Sequence, residues 1–192
     1  MNTPCLFKES PRGITAVRLE DELFDNREIF LTDVINEQTS TDLLKQLMCL
    51  EKESDEEITL YINSPGGDVI GGLAVYDYIS SMKSPVKTVC IGTAASMAAI
   101  LFLAGDKREM FPHTQLIIHD PSFFHNDIGG QKPHEIKQQL DKLNEVRETL
   151  ALMIADKTGK TLDEIYAITA NDTVFDANEA INFGLATAVW EG

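Results

Sequence analysis

The sequence predicts an α/β protein built on a mainly parallel sheet. Two observations lead to this prediction. Short apolar segments alternate with segments of helical spacing, and the apolar segments are nearly continuous rather than alternating with polar residues. Repeated right-handed strand–helix–strand units give a sheet covered on its faces. No internal repeat, low-complexity tract or linker divides the 192 residues, so we predict a single domain over residues 1–192.

The strands and helices of the first two thirds follow in order. Strands are predicted at the runs EIFL (near 29–31), ITLYIN (58–63) and QLIIH (115–119). Helices are predicted over about 37–51, where leucines recur at helical spacing, and over about 69–82, ending before a proline. Residues 87–106 predict a strand, a turn of small residues and an apolar helix that begins near Ser96.

A long helix is predicted from Pro133, a favourable first helical residue, to Lys157, with Gly159 as its stop. It follows a predicted loop over residues 121–132. Its apolar stripe is narrow for this length, which favours an arm that packs against another subunit over a helix that lies on its own domain. The stripe consists of Ile136, Leu140, Leu143, Leu150 and Met153.

Two short helices are predicted to end the chain, each with a start signal. The pairs Thr161/Glu164 and Asp176/Glu179 have capping-box spacing, and Gly184 can end the second helix.

Composition limits the class of protein. Asp and Glu total 31 against 16 Lys and Arg, a net charge of −15, which argues against nucleic acid or an anionic membrane as a partner. Cys5, Cys49 and Cys90 have no paired spacing, and the last two lie in apolar stretches, which predicts core residues in a reducing compartment. No run resembles a signal peptide or a membrane span, so we expect a cytoplasmic protein.

Ser96 is the first candidate for chemistry. A serine at a strand-to-helix junction lies close to backbone N–H groups that lack an intrahelical partner, and these, with the helix dipole, can stabilise a developing oxyanion. The alternative is that the neighbouring small residues only allow a buried helix to pack closely. The glycine turn SPGGD (64–68) lacks the pattern of a nucleotide-binding loop, but its amides can approach a substrate carbonyl.

Acyl transfer by serine also needs a base and a group that orients the base. His119 is the best base candidate of the four histidines, because it closes an apolar strand at the carboxyl edge of a parallel sheet. Asp172, before the last helix, is the candidate orienting group; the alternative is an Asx turn or a cap. No metal is predicted, because His119, Asp120, His125 and Asp127 have no fixed ligand geometry.

Four segments together resemble the proteolytic subunit of the Clp protease, ClpP, in order and nearly in spacing. They are YINSPGGDVIGGLAVYD (61–77), CIGTAASMAAILFLAG (90–105), LIIHDP (116–121) and NDTVFDANEAINFGL (171–185). The resemblance extends from Arg12 and Gly13 to about Leu185. It implies the ClpP/crotonase-like fold, a head domain of repeated βαβ units with a protruding handle helix, here about 133–157.

The resemblance also implies roles for individual residues. Ser96 corresponds to the nucleophile, His119 to the general base and acid, and Asp172 to the orienting carboxylate. The backbone N–H groups of Gly67 and Met97 correspond to the oxyanion hole. The remaining matches, to substrate-binding positions, are Gly66, Pro121, Ser122 and Phe123.

Assembly and partners are likewise implied by the resemblance. Such chains form heptameric rings, two of which stack as a tetradecamer, and receive unfolded polypeptides from an AAA+ unfoldase of the ClpX, ClpA or ClpC type. The unfoldase uses the ATP, so no cofactor is expected on this chain. Residues 1–16 correspond to the axial-pore loop, and the eleven residues before Arg12 match a mature family N-terminus, so no propeptide is expected.

The sequence departs from the family pattern at three places. Residues 122–130 are longer than the glycine-rich strand of relatives, and Phe123 and Phe124 are expected to reshape the specificity pocket. Ala170 and Asn171 replace an acidic–arginine pair that links the two rings. In the unfoldase docking pocket Tyr61 is retained, but Thr59 replaces an aromatic residue.

Two alternatives to a peptidase remain open. One is a catalytically silent ring subunit with a structural or regulatory role. The other is an acyl-CoA hydratase or isomerase of the crotonase fold, which uses similar glycine-turn amides but not this serine and histidine pair.

Overall fold

The computed structural model describes residues 4–11, 13–123 and 130–191, in which strands and helices alternate. Their bounds, in chain order, are β1 Cys5–Ser10, β2 Gly13–Arg18, α1 Leu19–Asp25, β3 Glu28–Leu31, α2 Glu37–Glu53, β4 Ile58–Ser64, α3 Val69–Ser81, β5 Val86–Ala95, α4 Met97–Ala104, β6 Lys107–Met110, β7 Gln115–Ile118, α5 Pro133–Thr158, α6 Leu162–Thr169, β8 Thr173–Phe175, α7 Ala177–Phe183 and β9 Ala188–Val189.

The predicted sheet is confirmed as mostly parallel. It runs in the order β3-β4-β5-β6-β9, and β7 and β8 branch from β5. The first half of β5 pairs with β6, whereas its last residues, 93–95, pair in parallel with β7. Only β8 is antiparallel to its neighbour within this sheet, as far as the described residues show. The ends of β5 and β7 and the start of β8 therefore lie at one edge.

The core lies between this sheet and its helices. Helix α4 is buried at every position, as expected for a helix that is apolar all round. Helix α2 buries Leu43, Leu47 and Leu50, and its Asn36 side chain accepts hydrogen bonds from the first turn. Cys90 is buried as predicted, but the prediction for Cys49 is wrong, because the α2 stripe turns that residue outward and it is exposed.

The predicted helix caps are confirmed. Thr161 and Asp176 each accept a hydrogen bond from the backbone three residues on, and both form capping boxes. Gly159 and Gly184 end α5 and α7 in the left-handed conformation.

Helix α5 has the predicted bounds to within one residue. Its predicted stripe divides between two environments: Leu150 and Met153 pack against the chain's own core, whereas Leu140 is 47% exposed. The C-terminal half therefore lies on its own domain, and a subunit contact through the N-terminal half stays a prediction.

The N-terminal segment forms an antiparallel hairpin of β1 and β2 that the sequence did not predict. Its described side chains are mostly exposed, including Phe7 at 76%. Residues 1–3 and Arg12 lie outside the described residues, and the axial-loop role stays a prediction. Within the described ranges no helix is long and apolar enough to cross a membrane.

Candidate active site

Ser96 lies in a sharp turn between β5 and α4. Its backbone has φ 55° and ψ −126°, a conformation that non-glycine residues rarely adopt. The turn is held by the Ser96 N–H, which donates to the Ile117 carbonyl of β7 at 2.9 Å, and by the Ser96 carbonyl, which accepts from Ala99 at 2.9 Å. The hydroxyl does not cap the helix. A serine in a strained strand-to-helix turn with an uncommitted hydroxyl is the geometry of a nucleophile elbow.

The glycine turn at 64–67 packs directly against the Ser96 turn. Gly66 has φ 87°, and a Cβ there would lie 2.4 Å from the Ala95 carbonyl oxygen and 2.9 Å from the Met97 nitrogen. Gly67 has φ 145°, and a Cβ there would lie 2.2 Å from the Ile35 carbonyl oxygen. Both positions require glycine, because no side chain fits the backbone conformation or the space.

Two backbone N–H groups beside Ser96 lack an acceptor within the described part of the chain. Gly66 and Asp68 are bound to Ile35 on either side of Gly67, which turns the Gly67 N–H away from that partner. Met97 is the first residue of α4, so its N–H has no intrahelical acceptor. These are the two donors that the resemblance assigned to the oxyanion hole.

His119 follows β7 at the same edge of the sheet and is half-buried. Its Nδ1 lies 2.7 Å from the carbonyl oxygen of Asp120. Because a carbonyl oxygen only accepts, this bond places the proton on Nδ1 and leaves Nε2 as an acceptor. No hydrogen bond joins His119 to Ser96 or to Asp172 among the described side chains.

Asp172 lies just before β8. In the antiparallel β7–β8 ladder Ile118 is opposite Thr173, so one further step of the register places His119 opposite Asp172. Asp172 is exposed, however, and does not line the cavity beside Ser96. The fold thus brings the three predicted residues to one edge, but the Asp172 carboxylate does not hold the imidazole in this conformation.

A cavity of about 510 Å³ opens beside Ser96 and extends beneath α5. Six of the predicted site residues line it: Gly67, Ser96, Met97, His119, Pro121 and Ser122. Most of its lining is apolar and includes Leu143, Leu150 and Ile154 of α5. This cavity has the size and lining of a ligand pocket with a few polar groups at its mouth.

The other predicted positions lie elsewhere. Phe123 is half-buried and does not line the cavity, and Gly66 supports the Ser96 turn from behind. Phe124, His125 and Asp127 lie outside the described residues. The described part of the chain has no cluster of three His, Cys, Asp or Glu side chains placed to hold a metal ion.

The sequence analysis missed one polar cluster at this site. Arg147 of α5 donates from Nε to the Asp120 carboxylate at 2.7 Å, and its guanidinium lies 4.3 Å from the centre of the Tyr166 ring. The residues come from three separate elements, and their spacing along the chain gives no signal that they meet. The available signal is helical spacing, which places Arg147 between Leu143 and Leu150 on the apolar stripe of α5 and so turns its side chain toward the protein.

Comparison with known proteins identifies the class. The family model described as Clp protease matches residues 11–192. The chain belongs to the Clp protease family. One curated relative, the ATP-dependent Clp protease proteolytic subunit 2 of Synechococcus sp. (strain CC9605), is 37% identical over 191 residues, covering 97% of this chain and 94% of the relative. The ClpP fold class and a protease role agree with these matches.

Proposed function

We propose that this chain is a serine endopeptidase subunit that hydrolyses peptide bonds of unfolded polypeptides. The observation that carries the proposal is the Ser96 turn, where a strained backbone places an uncommitted hydroxyl beside the unpaired N–H groups of Gly67 and Met97. His119 lines the same cavity with Nε2 available as an acceptor. Nucleophile, base and oxyanion donors are the parts that acyl transfer requires.

The proposed reaction proceeds through an acyl-enzyme. The Ser96 oxygen attacks the scissile carbonyl carbon while His119 Nε2 takes the hydroxyl proton, and the negative oxygen accepts hydrogen bonds from Gly67 and Met97. When the C–N bond breaks, the imidazolium returns the proton to the leaving amine. A water molecule then attacks the ester carbonyl while His119 Nε2 takes a proton from it. When the ester bond breaks, the imidazolium returns that proton to the Ser96 oxygen, and the carboxylic acid product is released. One oxyanion donor is worth about 3 kcal/mol of transition-state stabilisation.

Asp172 is proposed as the orienting carboxylate of the catalytic conformation. The β7–β8 register places its backbone opposite His119, so a side-chain rotation and a small turn of the imidazole bring Nδ1–H to the carboxylate. In the conformation described above, the Asp120 carbonyl accepts that proton instead. Both acceptors select the same tautomer.

The assembly is proposed to be two stacked heptameric rings that enclose the serines. Support comes from family membership and from α5, whose exposed Leu140 and Leu152, at 47% and 51%, are apolar side chains without a partner within the described chain. Ala170 and Asn171 stand where relatives carry a ring-linking pair, so ring stacking here relies on other contacts.

An AAA+ unfoldase of the Clp type is proposed to deliver the substrate, using its own ATP. The Synechococcus relative is a subunit of an ATP-dependent protease. Support within this chain is a partly exposed aromatic group in which Tyr61 stacks on Phe30 at 4.9 Å and meets Trp190 edge-on at 6.2 Å. Phe30 is 41% exposed, which leaves an apolar surface for a partner. No nucleic acid and no membrane is proposed as a partner.

The test uses short fluorogenic peptides and a fluorescent fluorophosphonate, which labels activated serines without need of an unfoldase. Ser96→Ala should lower peptide turnover by a factor on the order of 10⁶ and abolish labelling. Ser81→Ala is the control, because Ser81 is an exposed serine of α3 outside the cavity; it should keep both turnover and the label. Labelling that survives in Ser96→Ala would remove Ser96 as the nucleophile. An assembled wild-type chain with neither turnover nor label would favour the silent ring subunit.

A further inference from the structure

We propose that Arg147 is a positioning residue for His119, acting through Asp120. The inference rests on the proposed role of His119 as the base. Arg147 does not touch His119; it holds the residue whose backbone carbonyl accepts from the imidazole. Arg147 is carried by α5, so the helix expected to contact another subunit is joined to the catalytic base by two consecutive hydrogen bonds.

Asp120 is fixed at three points. Its carbonyl accepts from His119 Nδ1 at 2.7 Å, its N–H donates to the Thr169 carbonyl at 2.7 Å, and its carboxylate accepts from Arg147 Nε at 2.7 Å. The N–H and the carbonyl belong to the two peptide units that flank the Asp120 Cα, so with the side chain also held, neither unit can rotate without breaking one of these bonds. The direction of the Asp120 carbonyl, and with it the plane of the imidazole, is therefore set in part by the side-chain ion pair.

The ion pair is better defined than an ordinary surface pair. The side chains of Arg147 and Asp120 are only 34% and 30% exposed, and both line the cavity. The guanidinium also lies over the Tyr166 ring at 4.3 Å, which fixes its plane while Nε points to the carboxylate. A lysine cannot make the planar stack and the directed hydrogen bond together, so arginine is specifically required.

The ion pair also affects which protonation state of the His119 imidazole is favoured, because charged groups surround the ring. Asp120 and Arg147 lie beside it as a neutralised pair, Asp68 lines the same cavity from the start of α3, and Asp172 is next in the β7–β8 register. Removing only Arg147 leaves the Asp120 carboxylate uncompensated, which favours the protonated imidazole. Removing only the carboxylate leaves the guanidinium, which favours the neutral imidazole.

The experiment measures kcat and KM for a fluorogenic peptide, and the rate of fluorophosphonate labelling, from pH 5 to 9. The variants are Arg147→Gln, Asp120→Asn, the double variant and Arg147→Lys, in the assembled full-length chain. In Arg147→Gln the acid limb of the rate profile should move up by about 0.5–1 pH unit, and in Asp120→Asn it should move down by a similar amount. The double variant should return the limb to the wild-type position.

Comparing the change in kcat with the change in KM distinguishes a residue that positions His119 from one that binds the substrate. In Arg147→Gln we expect kcat and the labelling rate to fall about tenfold with KM within about twofold, because the imidazole rather than the peptide loses its support. Arg147→Lys should recover the position of the acid limb but only part of kcat. Lys52→Gln, an exposed lysine of α2 outside the cavity, is the control for loss of one positive charge and should match the wild type.

Several results would overturn the inference. Equal loss of rate at every pH, with unmoved acid limbs, would show a merely structural role, and a rise in KM alone would make Arg147 a substrate contact. Wild-type kinetics in Arg147→Gln would remove any role. If the wild type itself shows no Ser96-dependent labelling, the proposed function fails as well, whereas normal wild-type labelling with unshifted variants refutes this inference alone.

Discussion

Gly66 offers the sharpest test of how the glycine turn supports the Ser96 turn. The change is Gly66→Ala. A methyl group there would lie 2.4 Å from the Ala95 carbonyl oxygen, about 1 Å closer than the 3.4 Å at which ordinary contact begins, and 2.9 Å from the Met97 nitrogen. Both atoms belong to the backbone on either side of Ser96, so no flexible side chain can yield.

The magnitude follows from two separate costs. Alanine at φ 87° is strained by roughly 1–2 kcal/mol, which lowers the free energy of unfolding. Relief of the overlap moves the Ser96 turn and the Met97 N–H by about 1 Å relative to Gly67, and a misplacement of that size costs about 10²-fold in rate. We expect kcat/KM to fall about 100-fold, far more than the stability loss alone would produce.

The matched control is Gly159→Ala. Gly159 also has a left-handed backbone, with φ 70°, but nothing lies within 4 Å of its would-be Cβ and it is outside the cavity. It should lose similar stability, measured by urea unfolding, and keep wild-type peptide turnover and fluorophosphonate labelling. Activity of Gly66→Ala within threefold of the wild type would refute the idea that the two turns fix each other.

Two further predictions concern stability and assembly. The guanidinium of buried Arg27 donates to four carbonyls at and just after the end of α2, and Arg27→Met should lower the free energy of unfolding by about 3 kcal/mol, since these acceptors lose their donor. Arg18→Met, at an exposed arginine, should change the free energy of unfolding by less than about 0.5 kcal/mol. Equal losses in the two variants would contradict the role assigned to the Arg27 hydrogen bonds. Leu140→Asp places a charge on the exposed apolar side of α5 and should convert the proposed stacked rings to single rings in sedimentation velocity, with Lys142→Gln as control. Unchanged sedimentation would exclude that face as an interface.

The elements predicted from the sequence are those whose local pattern and tertiary environment agree. The buried runs of β4, β5 and β7 and the capped helices α5, α6 and α7 belong to this group. The missed strands lack such a pattern. β6 has the polar sequence KREM, and β9 has only two residues. They are strands because the backbone of β6 pairs with β5 and that of β9 pairs with β6. The β1–β2 hairpin buries no core face, so its sequence shows no alternation.

In the candidate site, too, some features follow from local sequence and others depend on tertiary packing. Ser96 and the glycine turn are predictable because each follows a strand within a few residues, and the parallel pairing of β4 with β5 brings the two turns, with the proposed oxyanion donors, to one edge. His119 and Asp172 are linked only by the register of two distant strands, which sequence spacing does not encode. The Asp120–Arg147 pair requires the packing of α5 against the end of β7. Helical spacing places Arg147 on the apolar stripe, but no local signal shows that it meets Asp120.

The two acceptors available to His119 Nδ1 explain how an imidazole without its carboxylate can still be ready for catalysis. A carbonyl oxygen and a carboxylate both accept from Nδ1–H, so a change from Asp120 to Asp172 needs a movement of the ring but no proton transfer. In the proposed mechanism the carboxylate adds what the carbonyl lacks, a negative charge that would stabilise the imidazolium formed when Ser96 is deprotonated. On the proposed mechanism, activation therefore requires Asp172 to move toward the imidazole, and the Asp120 carbonyl keeps the proposed base in its working tautomer until then. The cost of that step is mainly the ordering of one exposed carboxylate.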